Sequence, residues 1–223
     1  MEDPVKTAAS VELSVPPARP VIGRLNAWLF RLLDGYMDRK LGRLKRELFA
    51  DLPEDVVEIG AGTGANLRYY RPGTRLRAVE PSPYMRERLA ARARELGIAV
   101  ELCGQVGEAI DLPSGSADAV VSTLVLCTVP DPVAVLGEVR RVLRRGGRFL
   151  CLEHVVAPPA SFLWRLQRWV KRPWRWFFEG CHVDRDLESD LRAAGFSDVR
   201  VERVHVSTAF LPIRTQIRAV AVR

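Results

Sequence analysis

The run Val56-Val57-Glu58-Ile59-Gly60-Ala61-Gly62-Thr63-Gly64-Ala65-Asn66 carries residue types and spacings that suit ligand chemistry. Its apolar start reads as the end of a buried parallel strand. The glycines that follow let the backbone turn sharply and approach a ligand, because they lack Cβ and tolerate positive φ. Asn66 to Tyr70 are expected to open the first crossover helix, with its N-terminal amides facing that ligand. Strand, glycine turn and helix together predict a nucleotide-binding corner. Gly60-x-Gly62-x-x-Ala65 satisfies the dinucleotide fingerprint in its Gly/Ala form, so a nicotinamide-dependent oxidoreductase is one reading. Gly64 and Glu58 favour another. Gly64 makes a tight Gly-x-Gly-x-Gly run. Glu58, two residues before the first glycine, can fix the loop or accept from a ligand amine; its charge disfavours a pyrophosphate and suits a cationic amino-acid end.

Further along, Thr74 to Val79 reads as the second strand, and Glu80 follows Gly60 by 20 residues. At that interval an acidic side chain caps the second strand and can accept both ribose hydroxyls. Pro81, Tyr84 and Met85 are placed to cover an adenine face. The loop Gly107-Glu108-Ala109 comes after the third strand (Ile98 to Leu102). Thr123, Leu124, Val125, Leu126 and Cys127 lie at the carboxyl end of a fourth strand (Ala117 to Thr123), where they can line an apolar pocket.

These residues need a frame. Residues 1–20, with Pro4, Pro16, Pro17 and Pro20, are expected to form a flexible tail. Residues 21–50 show helical spacing and are predicted as two helices, one through Trp28 and Tyr36, a second from Met37 to Phe49. Tyr84 to Leu96 is a helix closed by Gly97, and Asp131-Pro132 starts another that runs through Leu143. Arg148 to Glu153 is the fifth strand. Residues 156–181 alternate aromatic and basic side chains, and Pro173 predicts a break into two short helices. A lid over an acceptor pocket is the favoured use of this insert, ahead of a membrane-surface face and a nucleic-acid face. A helix from Asp184, a strand from Asp198 and a last strand to Arg223 complete one domain over residues 21–223.

The composition agrees: 223 residues with 48% hydrophobic and 27% charged suit one domain with a full core. The net charge of +7 comes mostly from arginine and mildly favours polyanions or anionic lipid. No signal peptide or run of about 18 apolar residues is apparent. Cys103, Cys127, Cys151 and Cys181 are widely spaced, form no Cys-x-x-Cys pair and are not completed to a metal site by the three histidines. They read as buried, reduced thiols of a cytoplasmic protein, with no metal expected.

The glycine run resembles motif I of class I S-adenosylmethionine-dependent methyltransferases. Lys45-Arg46-Glu47-Leu48-Phe49, Glu58 through Asn66, Thr123-Leu124-Val125-Leu126-Cys127, Glu153-His154-Val155 and Gly180-Cys181 resemble, in this order, a narrower group. That group is the methyltransferase-like family that includes the mammalian alkyl thiol S-methyltransferases. The resemblance implies a Rossmann-like α/β fold: a mostly parallel seven-stranded sheet, an antiparallel C-terminal strand and helices on both faces. It implies S-adenosylmethionine as cofactor, held by Glu58, Gly60, Ala61, Gly62, Gly64, Asn66, Glu80, Pro81, Met85, Gly107, Glu108, Ala109, Thr123, Leu124 and Val125. Glu108 would accept from the adenine amine.

The implied reaction is methyl transfer to a small apolar acceptor, a thiol first, with an oxygen or nitrogen of a lipid, quinone or natural product as the alternative. A non-catalytic ligand-binding domain is a further alternative. Because the thiolate is the nucleophile, His154 is the first candidate base, followed by Glu179 and His182. N-terminal helices and insert place Trp28, Tyr36, Cys127, Trp164 and Trp174 around the acceptor pocket. The family's long hydrophobic N-terminal anchor is replaced here by a shorter, arginine-interrupted helix, and His182 stands where an Asn is expected. A cytoplasmic protein is implied, with peripheral membrane contact as a secondary expectation and no nucleic acid.

Overall fold

The computed structural model describes residues 4–7, 20–178 and 180–223. Among the described residues eight strands form one sheet: β1 (Val5–Thr7), β2 (Asp55–Ile59), β3 (Arg75–Val79), β4 (Ala99–Cys103), β5 (Ala117–Thr123), β6 (Leu143–His154), β7 (Asp198–His205) and β8 (Thr215–Val222). Their order is β1-β4-β3-β2-β5-β6-β8-β7. β8 runs antiparallel to both of its neighbours, while β1 to β6 pair in parallel. The helices are α1 (Pro20–Phe49), α2 (Pro83–Leu96), α3 (Pro132–Val142), α4 (Phe162–Phe177) and α5 (Leu187–Ala193).

Side chains alternate across a strand, so a sheet covered on both sides needs apolar residues at nearly every position. β2 shows this directly. Val57 and Ile59 join Val120, Phe149 and Cys151 beneath α3 and α5, through Val135, Leu136, Val139, Leu187 and Leu191. Val56 points the other way, with Ala78, Val121 and Leu152 against Leu41, Leu48 and Phe49 of α1 and Leu89 and Ala93 of α2. From β2 the chain first builds outward through β3 and β4, then returns to β5 on β2's other side. That reversal leaves a crevice beyond the carboxyl ends of β2 and β5, where open α/β sheets bind ligands.

Local signals fix the ends of the elements. Asp131 caps α3 by accepting from Val133 N and Ala134 N, each at 3.0 Å, with Pro132 in the first turn. Gly97 closes α2 in the left-handed region at φ 65°.

Four expectations are corrected. The sheet has eight strands rather than seven, because Val5–Thr7, read as flexible tail, pairs in parallel with the edge strand β4. The two N-terminal helices are one, as no cap or proline separates Tyr36 from Met37 and the inward spacing of Leu41, Lys45 and Leu48 runs straight on. The insert is likewise one helix: Pro173 removes a donor, yet the next turn closes through Phe178 N to Trp174 O at 2.9 Å. After Asn66 there is a single 3-10 turn, Leu67–Tyr69, rather than a crossover helix. Pro72-Gly73 follows too closely for an α-helix to propagate.

Candidate functional site

Gly60, Gly62 and Gly64 all lie in the left-handed region, at φ 63°, 55° and 79°. Their surroundings differ. A side chain at Gly60 would collide with Val125, and one at Gly64 would meet Leu67 and Leu89 at 2.8 and 2.9 Å. Beside Gly62 nothing stands closer than Gly60 O at 3.9 Å and Met85 Sδ at 4.0 Å. Gly60 and Gly64 are therefore packing glycines, whereas Gly62 keeps the backbone open towards the crevice. Its amide donates to Glu80 Oε2 at 2.9 Å, and Ser82 N donates to Glu80 Oε1 at 2.9 Å. Glu80, at the carboxyl end of β3, is thus buried and aimed by two backbone donors.

Glu58 is fully engaged. Asn66 Nδ2 donates to Glu58 Oε1 at 2.7 Å and the Tyr70 hydroxyl to Oε2 at 2.8 Å. Asn66 also donates to Thr123 Oγ1 at 2.8 Å and accepts from Lys45 Nζ at 2.8 Å. One buried amide therefore ties α1, the glycine turn and β5 together. Burial pushes the Glu58 carboxyl up to about 7, and burial also lowers Lys45. These bonds tie Glu58 to the turn and to the segment just after it.

At the end of β5, Leu124 takes φ 58°, an uncommon conformation for a residue with a side chain. It is held there by its own N–H to Leu152 O at 2.9 Å and by Val125 N to Glu153 Oε1 at 3.0 Å. Glu153 also accepts from Ser122 Oγ at 2.8 Å, is wholly buried, and has its pKa raised by that burial. Next to it His154 Nε2 lies 3.1 Å from Cys181 Sγ. Cys181 further receives Trp174 Nε1–H at 3.3 Å and lies 3.7 Å from Cys127 Sγ. The hydrogen bond with Cys127, then His154, pulls the Cys181 thiol well below its ordinary range; the same contact and burial push Cys127 up. The carboxyl ends of β5 and β6 thus meet in a buried, sulfur-rich corner.

The remaining expected site residues fall in several places. Pro81 and Met85 are half-buried beside the corner, and Ala61 is buried within it. Gly107 packs against Ile59 and Val135, and Ala109 N bonds Val106 O at 3.2 Å. Glu108 accepts from Asp131 N at 3.3 Å. Tyr36 accepts from Ala209 N at 2.6 Å, shares a hydrogen bond with Thr208, and meets Phe210 edge-on at 6.2 Å. Phe210 also faces Trp174 at 6.4 Å, so α1 and α4 converge over the sulfur-rich corner. Trp28 is half exposed two turns earlier, and Trp164 lies under the Arg168 guanidinium on its own helix, at 4.8 Å; neither reaches that corner by a described contact. His182 donates its N–H to Cys127 O at 2.8 Å, and burial followed by Arg185 lowers its imidazole. Glu179 lies outside the described residues. At the opposite end of the sheet, Arg71, Arg144, Arg145 and Arg148 line an open cleft of about 460 Å³ with Asp51 and Asp118. It sits at the amino ends of the strands, away from the crevice.

Sequence reading missed Lys45 and Tyr70 as supports of the corner, and it missed the convergence of Cys127, His154 and Cys181. Where the spacing brought no histidine to the cysteines, the structure sets the ligand atoms of Cys127, His154 and Cys181 all within 4.8 Å of one another. Spacing gave no warning, since Cys127 and Cys181 are 54 positions apart. Among the described residues no helix is long and apolar enough to cross a membrane.

Residues 57–151 match the family model described as a methyltransferase domain. Human thiol S-methyltransferase TMT1B is 35% identical over 207 residues, covering 88% of this chain and 85% of its own. A possible histamine N-methyltransferase of Thermotoga maritima, a SAM-dependent methyltransferase, superposes with a TM-score of 0.61 at 22% identity, covering 91% of this chain and 98% of that one. A phosphoethanolamine N-methyltransferase of Haemonchus contortus, solved with S-adenosylhomocysteine, does so at 0.66 and 15%, covering 92% and 59%. These two likenesses bear on the fold.

Proposed function

We propose, from the premise that this chain belongs to the S-adenosylmethionine-dependent methyltransferases and to the family of the human thiol S-methyltransferase, that its acceptor is a small, apolar thiol. A nicotinamide-dependent oxidoreductase is thereby set aside. The observation that supports a thiol is the similarity to that relative, which runs over 88% of this chain and so extends well beyond residues 57–151 into the acceptor end.

S-adenosylmethionine is the methyl donor, and it supplies an already activated sulfonium methyl group. The corner fits such a molecule, because Gly62 leaves an open approach and Glu80 presents an aimed, buried carboxylate beside it. Glu80 would accept from the ribose hydroxyls, Pro81 and Met85 would cover the adenine, and Glu108 would take its amine. Asn66 and Glu58 hold the turn in shape for this. Catalysis then consists mainly of aligning donor and acceptor and excluding water. A free thiol is only a few per cent ionised near neutral pH, so the chain must favour the thiolate. His154 stands where it can act on the acceptor sulfur, at the end of β6 and in contact with Cys181.

Peripheral contact with an anionic membrane belongs to the same proposal. Along α4, Phe162, Trp169 and Trp176 recur every seven residues and are 70%, 82% and 81% exposed. The helix carries five cationic residues and no acidic one. Exposed tryptophan interleaved with arginine suits the headgroup boundary of a bilayer, from which an apolar thiol can be drawn.

The test is an acceptor panel of alkyl thiols, phenols and amines, read by the mass of the methylated product. Turnover restricted to thiols is expected; turnover of phenols or amines with thiols inert would replace the reading.

A further inference from the structure

Cys127 follows β5, His154 ends β6 and Cys181 follows α4, so three separate elements deliver three soft ligand atoms to one point. The atoms are enclosed: Cys127, His154 and Cys181 are 1%, 2% and 8% exposed. Their positions are set by the backbone. The N–H of His182 bonds the carbonyl of Cys127 at 2.8 Å, locking the two cysteine segments together, and His154 pairs with Gln216 in the ladder of β6 and β8.

We propose that Cys127, His154 and Cys181 bind a soft divalent ion of the zinc class, whose fourth position is taken by the sulfur of the acceptor thiol. The second half rests on the thiol reading above. Tetrahedral zinc with Zn–S bonds of about 2.3 Å separates its sulfurs by about 3.8 Å, and Cys127 and Cys181 stand 3.7 Å apart. His154 Nε2 lies 3.1 Å from Cys181 Sγ, and the three ligand atoms all fall within 4.8 Å of one another. Two thiolates and one imidazole are the donor set of an open catalytic zinc site, whereas a hard cation such as calcium or magnesium would require oxygen ligands that this cluster lacks. Two thiolates also neutralise a divalent ion, which removes the cost of burying either charge alone. Outside the ligands, the Trp174 indole N–H donates to Cys181 Sγ at 3.3 Å and the Thr128 hydroxyl lies 3.5 Å from Cys127 Sγ, both suited to anionic sulfur.

Three protein ligands leave a tetrahedral ion one position short. An incoming thiol displaces the water there: the sulfur–metal bond forms, the S–H bond breaks and its proton passes to solvent. Metal binding deprotonates a coordinated thiol outright. With a third thiolate bound, the complex carries a net negative charge, so the acceptor sulfur stays nucleophilic. His154 then acts as a ligand, and no separate base is needed to ionise the acceptor.

The experiment is a titration of the full chain, purified with a reductant and freed of metal by dialysis against a chelator, with Co²⁺. One equivalent should produce a thiolate-to-cobalt charge-transfer band, which should strengthen when a small alkyl thiol supplies a further sulfur. Cys181→Ser and Cys127→Ser should each diminish the band, with retained S-adenosylhomocysteine binding as the control for folding. Independently of those variants, Zn²⁺ should shield Cys127 and Cys181 of the wild type from alkylation, read residue by residue by mass spectrometry. Absence of both band and shielding overturns the site, as does a Cys127–Cys181 disulfide that excludes the ion. A band that ignores added thiol overturns the acceptor's place on the metal. Thiol methylation by the metal-free chain would sink this inference and leave the thiol reading standing. A cobalt band in an enzyme that methylates oxygen or nitrogen alone would sink the thiol reading, and with it the acceptor's place on the metal, and leave the metal site itself standing.

Discussion

The glycine corner and the sulfur-rich corner lie at the same end of the sheet and are built in opposite ways. In the first, Glu58 to Asn66 is one contiguous stretch, and Glu58, Asn66 and Glu80 are paired before any ligand arrives. The second is drawn from residues 27 and 54 positions apart. It leaves Glu153 Oε2 and His154 Nδ1 buried without a hydrogen-bond partner among the described residues. Buried polar atoms are ordinarily paired, and exceptions concentrate where function is placed. A donor that is always the same molecule can be met by a finished cradle. A reacting acceptor needs groups whose partners arrive with it, since interactions that count for rate are those made in the transition state. On the proposed function, binding falls to one corner and reaction to the other, and substitutions should separate them.

The largest expected effect is at Gly62. Gly62→Arg fills the open approach beside Met85 and forces a side chain into φ 55°. Calorimetry with S-adenosylhomocysteine should detect no binding, and retained affinity would remove the corner from the cofactor site. His154→Ala should do the opposite, slowing turnover by roughly a hundred-fold or more, as expected for a group that readies the acceptor sulfur, with cofactor affinity kept. Unchanged kcat would take His154 out of the chemistry; a parallel loss of cofactor affinity would erase the division between corners.

Glu58 offers a test of the finished cradle that needs no ligand. Its folded value of about 7 lies above its ordinary 4.5, so between those pH values the native state holds a proton that the unfolded chain has lost. Its contribution to stability is therefore full below pH 4.5 and fades as pH rises to 7. At about 1.4 kcal/mol per pH unit the change is on the order of 3 kcal/mol. Glu58→Gln cannot titrate, and the difference between the two Tm-against-pH curves should slope across this window. Lys45, lowered by burial, contributes in the opposite sense and is present in both proteins. Parallel curves would refute the buried, protonated carboxyl. Glu80→Ala should be milder, weakening S-adenosylhomocysteine by about 1–3 kcal/mol through lost charge-assisted hydrogen bonds; an unchanged Kd would reassign the ribose.

The two corners were unequally legible. Glycines at fixed spacing, an apolar strand before them and an acidic residue after the next strand are local signals, and Gly60, Gly62, Gly64 and Glu80 stand where those signals put them. Ala117–Thr123 matches its predicted strand residue for residue. What escaped was long-range. Lys45 reaches Asn66 across 21 positions, and nothing about a lysine in a helical stretch announces that it is buried. Cys181 was visible as a family motif, but its meeting with His154 and Cys127 depends on where α4 returns to the sheet. Val5–Thr7 joined the sheet because β4 offered an unpaired edge, a property of β4 rather than of a proline-rich tail.

The smallest expected effect lies on the outside of the reacting corner. Trp174 points inward to Cys181, while Trp169 and Trp176 of the same helix point out, so α4 joins the site to its surroundings. A basic residue near an anionic bilayer contributes about 1 kcal/mol to attachment. Arg172, exposed on α4 beside Trp169, should be worth that much. Arg172→Gln should therefore lower partitioning onto vesicles containing phosphatidylserine by roughly five-fold, with kcat for a water-soluble thiol unaltered. Trp169→Ser should lower partitioning in neutral vesicles as well, because it removes apolar contact rather than charge. If neither changes partitioning, the outward tryptophans serve some other contact, and the acceptor reaches the sulfur-rich corner from water, as the donor reaches the glycine corner.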